Sequence, residues 1–251
     1  MNSIYCRYLS IVAAAAILAA GVTFAEAKDR KSAAKETMTF KVIDHPPCAC
    51  VVVFASGEIG DPTIDRFQDV LDTLEKTTDW SRNKVRLGVG PQLILLLDSP
   101  GGLVAPAYSV SRQLRLNGAK TAVLRPSASF SSTGALDPSS CESACSIILL
   151  GGKTRFSGVL SNIGLHQIHP LVARKRNFTR KDVLGYLSSF EDGAADFARH
   201  LEEMDADPEL LLFTMQTNQD EMSFINWSKA KSLGIINDTA ESLGRIVDYG
   251  S

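Results

Sequence analysis

Three short stretches of the chain carry residue types that could do chemistry together. Ser143 stands at the head of Ala144-Cys145-Ser146-Ile147-Ile148-Leu149-Leu150, a small and apolar run that predicts a buried helix. A hydroxyl at a helix start meets free N–H groups and the positive end of the helix dipole. That setting suits an alkoxide and an oxyanion beside it. His166 closes Gly164-Leu165-His166, where a neutral imidazole could take the serine proton if the fold joins the two. Asp98-Ser99-Pro100-Gly101-Gly102 ends an aliphatic run, and its glycines let backbone N–H groups face a cleft without side-chain obstruction. Each stretch has a plain structural alternative: a capping serine, a strand-end histidine, a tight strand-to-helix turn. His45, His169 and His200 have no motif around them, although His169 lies close to His166.

The elements that must position these residues can be read from periodicity. Val51 to Ala55 predicts a buried strand, and Thr63 to Glu75 a helix with Ile64, Phe67, Val70, Leu71 and Leu74 on one face. Leu93 to Leu97 predicts a second buried strand, Val104 to Leu116 a helix closed by Asn117-Gly118, and Thr121 to Leu124 a third strand. A serine-rich loop follows from Pro126 to Ser140, placed to restrict or shape a cleft at Ser143, with Asp137-Pro138 reading as a turn. Thr154 to Phe156 and Asn162 to His166 read as short strands. A long amphipathic helix runs from Arg180 to Met204, capped by Thr179 and Asp182, with Leu184, Leu187, Phe190, Ala194, Phe197 and Leu201 on its inner face. A last helix covers Ser228 to Leu233. Alternating strands and helices predict an α/β fold with a largely parallel sheet.

The chain has 251 residues, 45% hydrophobic and 22% charged, with a formal net charge of -2. That composition describes a globular domain with a sizeable core and gives no basic excess to favour nucleic acid. At the N-terminus, Arg7 precedes an apolar run from Leu9 to Val22, and Ala25-Glu26-Ala27 offers small residues for cleavage. This is the pattern of a secretory signal over residues 1–27. The run falls short of the roughly 20 residues of a membrane span, the alternative being an uncleaved N-terminal anchor. A polar lead-in (28–50) and one domain (51–251) follow. The expected location is periplasmic or extracellular. Of the five cysteines, Cys6 lies in the leader, leaving Cys48, Cys50, Cys141 and Cys145. An even number fits disulfides in an oxidising compartment. Zinc is the rival reading, but neither Cys-x-Cys nor Cys-x-x-x-Cys is the usual knuckle spacing, so no metal and no cofactor are expected.

These motifs, in this order, resemble the proteolytic subunit of the Clp protease family, and more closely its exported, Clp-protease-like periplasmic relatives. The resemblance runs from about Val51 to Asn237. It rests on Phe54-Ala55-Ser56-Gly57-Glu58-Ile59, on Ser99-Pro100-Gly101-Gly102, and on Ser143 with its spacing to Gly152. Arg155 to His166 with Gln167, and Ala230 to Gly234 with Ile235 and Ile236, complete it. It implies the Clp protease/crotonase fold of repeated β-β-α units. It also implies Ser143 as nucleophile, His166 as base, Gly102 and Ala144 as oxyanion donors, and peptides or unfolded segments as substrate. The long helix would match the family's handle, which mediates subunit contacts and hence homo-oligomerisation. No ATPase partner is expected outside the cytoplasm.

The chain departs from the family at three places. Counting back from Gly234, the family's catalytic aspartate position reads Met222; Glu221 and Asp220 precede it, and Asp220 is the better residue type. The alternative for Asp220 is a solvated acidic turn. Cys141 and Cys145 bracket Ser143. A cross-link from either to Cys48 or Cys50 would tie the serine to the first strand, whereas a bond between the two is awkward if both lie on one helix. The Pro126 to Ser140 loop is longer than the family's connection. Other functions compatible with the sequence are a non-catalytic scaffold, a Ser/Lys hydrolase of signal-peptide-peptidase type using Lys153 or the Arg174-Lys175-Arg176 cluster, and crotonase-type acyl chemistry.

Overall fold

A computed structural model describes residues 37–43, 50–77, 92–168, 179–218 and 221–238. The central sheet carries β1 (Thr39–Val42), β2 (Cys50–Ser56), β3 (Gln92–Asp98), β4 (Lys120–Pro126) and β5 (Leu136–Pro138) in that order, with β7 (Thr154–Ser157) also paired to β4. The pairings β2 with β3, β3 with β4, and β4 with β7 are parallel; β1 and β5 pair antiparallel. A smaller sheet runs β6 (Ser140–Glu142), β8 (Asn162–Leu165), β9 (Ser223–Ile225). The helices are α1 (Thr63–Thr77), α2 (Val104–Leu116), α3 (Phe130–Thr133), α4 (Ala144–Leu150), α5 (Arg180–Glu203), α6 (Glu209–Gln216) and α7 (Trp227–Ser232). The expected α/β fold with a largely parallel sheet is thus observed.

Both faces of the sheet are covered, which explains the unbroken aliphatic runs of β2 and β3. Val51, Val53, Leu93, Leu95 and Leu97 join the core that includes Phe67 of α1, Val110 of α2 and Ile148 of α4. Val52, Ile94 and Leu96 point the other way, into a second cluster with Ala122, Leu124, Phe156 and Phe130. Leu136 packs against that cluster too. The Pro126 to Ser140 segment therefore holds α3 and β5 and caps the sheet. It is not a loop over the cleft, because its apolar side chains find buried surface on the sheet's far face.

Several elements are absent from the sequence reading. β1 falls inside the 28–50 stretch, and α6 and β9 show no periodicity that marks them in the sequence. The helix from Arg180 has the expected capping box at Thr179 and Asp182. Its inner face is shorter than the periodicity predicts. Phe197 and Leu201 are buried, whereas Leu184 and Leu187 are 56% and 49% exposed. The reason is that the first half of α5 extends past the core that its second half joins.

On the buried face of α5 lies His200, whose Nε2 hydrogen-bonds Ser111 Oγ at 3.0 Å and whose ring packs on Tyr108 with centroids 4.7 Å apart. Burial, and next the Arg112 charge, push the imidazole down to about 4, against a partial opposing pull from Glu203. The unfolded chain therefore takes up a proton on His200 that the fold refuses. Stability present above pH ~6.5 is lost as pH falls through 4, at most about 3 kcal/mol. Urea unfolding at pH 7 and pH 4 measures this, and His200→Gln is expected to flatten that part of the pH dependence.

Candidate functional site

The glycine turn after β3 is fastened to the segment that presents Ser143. Ser99 N–H donates to Ser140 O at 2.8 Å and Glu142 N–H donates to Ser99 O at 3.0 Å, so Ser99 runs as a parallel bridge beside β6. Ser139 Oγ donates to Leu97 O at 2.6 Å, and Ser99 Oγ to Gly57 O at 2.6 Å. Gly101 and Gly102 have φ of +92° and +139°, a region side chains rarely enter. A Cβ on Gly101 would lie 2.5 Å from Glu142 O and 2.7 Å from Ser143 Cβ. The turn is thereby pressed against the serine's own backbone.

Ser143 precedes α4 with φ 53° and ψ -125°, an uncommon backbone state for a residue with a side chain. Such a state persists only when its surroundings over-determine it. Here Ser143 N–H donates to Gly164 O at 2.8 Å, and Ser143 O accepts from Ser146 N–H at 3.0 Å and Ser146 Oγ at 2.7 Å. β6 and β8 pair in parallel beside it, aligning Glu142 with Gly164. The seven residues of α4 are all buried, which fixes the helix that follows.

The serine hydroxyl meets the imidazole. Ser143 Oγ and His166 Nε2 are 2.6 Å apart. His166 follows directly on β8, whose register with β6 carries it alongside Ser143. The two residues border one cavity of about 330 Å³, together with Gly102 and Ala144. Ala144 is the first residue of α4, where N–H groups lack intrahelical acceptors. Most of the remaining wall is apolar, from Leu103, Val104, Ile147, Leu165, Ile168 and Phe197, and Asp61 also lines it. Lys153 does not border the cavity. It lies beyond the far end of α4, a helix about 10 Å long.

Asp220 lies outside the described residues, as do His45, His169 and the Arg174-Lys175-Arg176 cluster. Met222 is described: its side chain lies over Gly164, at 2.8 Å from where a Cβ would stand. β9 pairs antiparallel with β8, Ser223 opposite Leu165. One step further along that register, Met222 is opposite His166.

Cys141 and Cys145 are bonded to each other, with Cα atoms 5.2 Å apart. The objection to this pairing fails because only Cys145 is helical. Cys141 belongs to β6, and the turn at Ser143 brings the two together. Cys50 is disulfide-bonded as well, and Cys48 lies outside the described residues. The Cys141–Cys145 bond closes the loop that holds Ser143 in its unusual backbone state. Replacing both cysteines by serine is expected to cost about 2 kcal/mol, the closure entropy of so short a loop. Denaturant titration of the variant beside the wild type measures this.

No family model and no curated protein matches the chain. Solved structures do. A ClpP1 point mutant from Listeria monocytogenes is similar with a TM-score of 0.52 and 15% identity, over 75% of this chain and 90% of that one. The fold is therefore Clp-protease-like.

Proposed function

We propose that the protein is an exported serine-type peptidase acting by acyl transfer. The observation that carries this is the 2.6 Å contact between Ser143 Oγ and His166 Nε2 at the wall of an apolar cavity. His166 takes the Ser143 proton as the oxygen attacks a peptide carbonyl. The N–H groups of Gly102 and Ala144 hold the oxyanion that develops. The protonated imidazole then gives its proton to the leaving amine, and water, deprotonated by the same imidazole, releases the acyl group. Three disulfide-bonded cysteines among the described residues, Cys50, Cys141 and Cys145, favour an oxidising compartment and so support export. None of the described helices is long and apolar enough to cross a membrane. The exposed Val183, Leu184 and Leu187 on α5 support subunit contacts along that helix.

Met222 favours a second reading. A thioether opposite His166 can neither orient an imidazole nor stabilise its charged form as a carboxylate does. A binding protein that keeps the fold without efficient turnover fits that feature. The peptidase reading is tested by hydrolysis of fluorogenic peptides by the protein alone, without ATP. His166→Ala is expected to lose the activity and Lys153→Ala to keep it. Loss in Lys153→Ala with retention in His166→Ala would transfer the role of base to lysine.

A further inference from the structure

Beside the Ser143 cavity opens a recess of about 220 Å³ between α2 and α5. Val104, Ala105 and Ile168 are walls of both, so a chain lying at Ser143 reaches the recess across an apolar saddle. The polar lining of the recess comes from Tyr108, Ser189 and Asp196. Asp61 borders the serine cavity, and among the described residues no lysine or arginine borders either space.

One group in the recess has bonding capacity to spare. The Tyr108 phenol oxygen is covered, so Tyr108 gives the recess its ring rather than its hydroxyl. Among the described residues the Asp196 carboxylate is paired with Arg199, at 2.8 Å, and the two side chains are 56% and 65% exposed. Such exposed pairs contribute little and exchange readily. Arg112 also stands near, 5.7 Å over the Tyr108 ring, but its guanidinium is taken by Glu203 at 2.8 Å. Burial and the nearby Asp196 charge hold the Tyr108 phenol protonated, well above its usual range.

We propose that this recess is a subsite for a cationic side chain, lysine or arginine, of a peptide bound at Ser143, with Asp196 as counter-ion and the Tyr108 ring as a wall. The inference rests on the peptidase reading and names its substrate class: peptides in which a basic residue lies near an apolar one.

The test uses the full-length Ser143→Ala protein and fluorescent peptides identical except for lysine or norleucine at one position, scanned along the peptide. The lysine peptide is expected to bind about tenfold more tightly at its best position, a difference of about 1.4 kcal/mol. Asp196→Asn should bring the ratio to within about twofold, whereas Tyr108→Phe, which removes only the covered hydroxyl, should leave it near tenfold. Asp192→Asn removes an equal charge from the same helix outside the recess and should leave the ratio near tenfold. Equal affinities for the two peptides, or a ratio that moves as much in Asp192→Asn as in Asp196→Asn, would overturn the subsite. Fluorophosphonate labelling of the wild type separates the two levels. Labelled Ser143 without lysine preference removes the subsite and leaves the peptidase; preference without labelling does the reverse.

Discussion

Ser143→Ala is expected to lower peptide hydrolysis roughly 10⁴-fold, to a level set by binding and oxyanion contacts alone. The cavity has other hydroxyls, and the structure distinguishes them. Ser146 Oγ donates to Ser143 O at 2.7 Å and Thr214 Oγ1 donates to Leu211 O at 2.8 Å, so both are spent on the backbone. Of the hydroxyls bordering the cavity, Ser143 Oγ is the one placed against an imidazole nitrogen. His166→Ala should therefore cost roughly 10²- to 10⁴-fold, the range for a lost general base. Ser146→Ala should change the rate only through a small loosening of the turn. Steady-state rates on one fluorogenic peptide check all three, and a Ser146→Ala loss as large as that of Ser143→Ala would contradict the assignment.

Gly102→Ala is the second change with a large expected effect, and it acts on fold and site together. At φ +139° the added Cβ is strained before it meets anything. It would also strike the Ile59 carbonyl oxygen and approach the Ile59 nitrogen to 2.8 Å. Ile59 cannot retreat cheaply: its N–H donates to Gly101 O at 2.7 Å and its carbonyl accepts from Leu103 N–H at 2.8 Å. Backbone strain and forced overpacking together cost about 3 kcal/mol. The turn must move away from Ile59, and the Gly102 N–H moves with it, out of the cavity wall. Denaturant titration should show the stability loss, and the surviving folded fraction should hydrolyse peptides at least tenfold more slowly, the cost of a displaced oxyanion donor. A Gly102→Ala protein within about 0.5 kcal/mol of wild type, a surface-substitution effect, and fully active would show that the turn is not part of the site.

The parts of this arrangement that the sequence discloses are those written in strong local patterns. The aliphatic run of β3, the glycine turn, the capped start of α5 and the small apolar run of α4 each announce themselves. What stays hidden depends on distant partners. β1 is four residues with alternating exposure, stabilised by pairing with β2. β9 is three residues whose place is set by β8 across a long chain separation. The cap formed by Phe130 and Leu136 looks like a loop, because small serine-rich chains show no period and the apolar face they cover lies on other strands. The sequence leaves the cysteine pairing open, and the Cys141–Cys145 bond forms because the turn at Ser143 separates strand from helix. That turn has no signature of its own: serine does not advertise a positive φ, and the bonds to Gly164 and Ser146, with the Cys141–Cys145 bridge, impose it. Asp196 and Tyr108 were invisible as a pair because they meet only where α2 and α5 line the same recess.

The central claim is that Ser143 is a nucleophile made reactive by His166. Its most direct test is labelling with a fluorophosphonate probe, followed by mass measurement of the intact protein and of its peptides. The account predicts one adduct, on the peptide carrying Ser143, that is absent in Ser143→Ala and strongly slowed in His166→Ala. An adduct on any other residue, or none at any pH at which the protein stays folded, would contradict it.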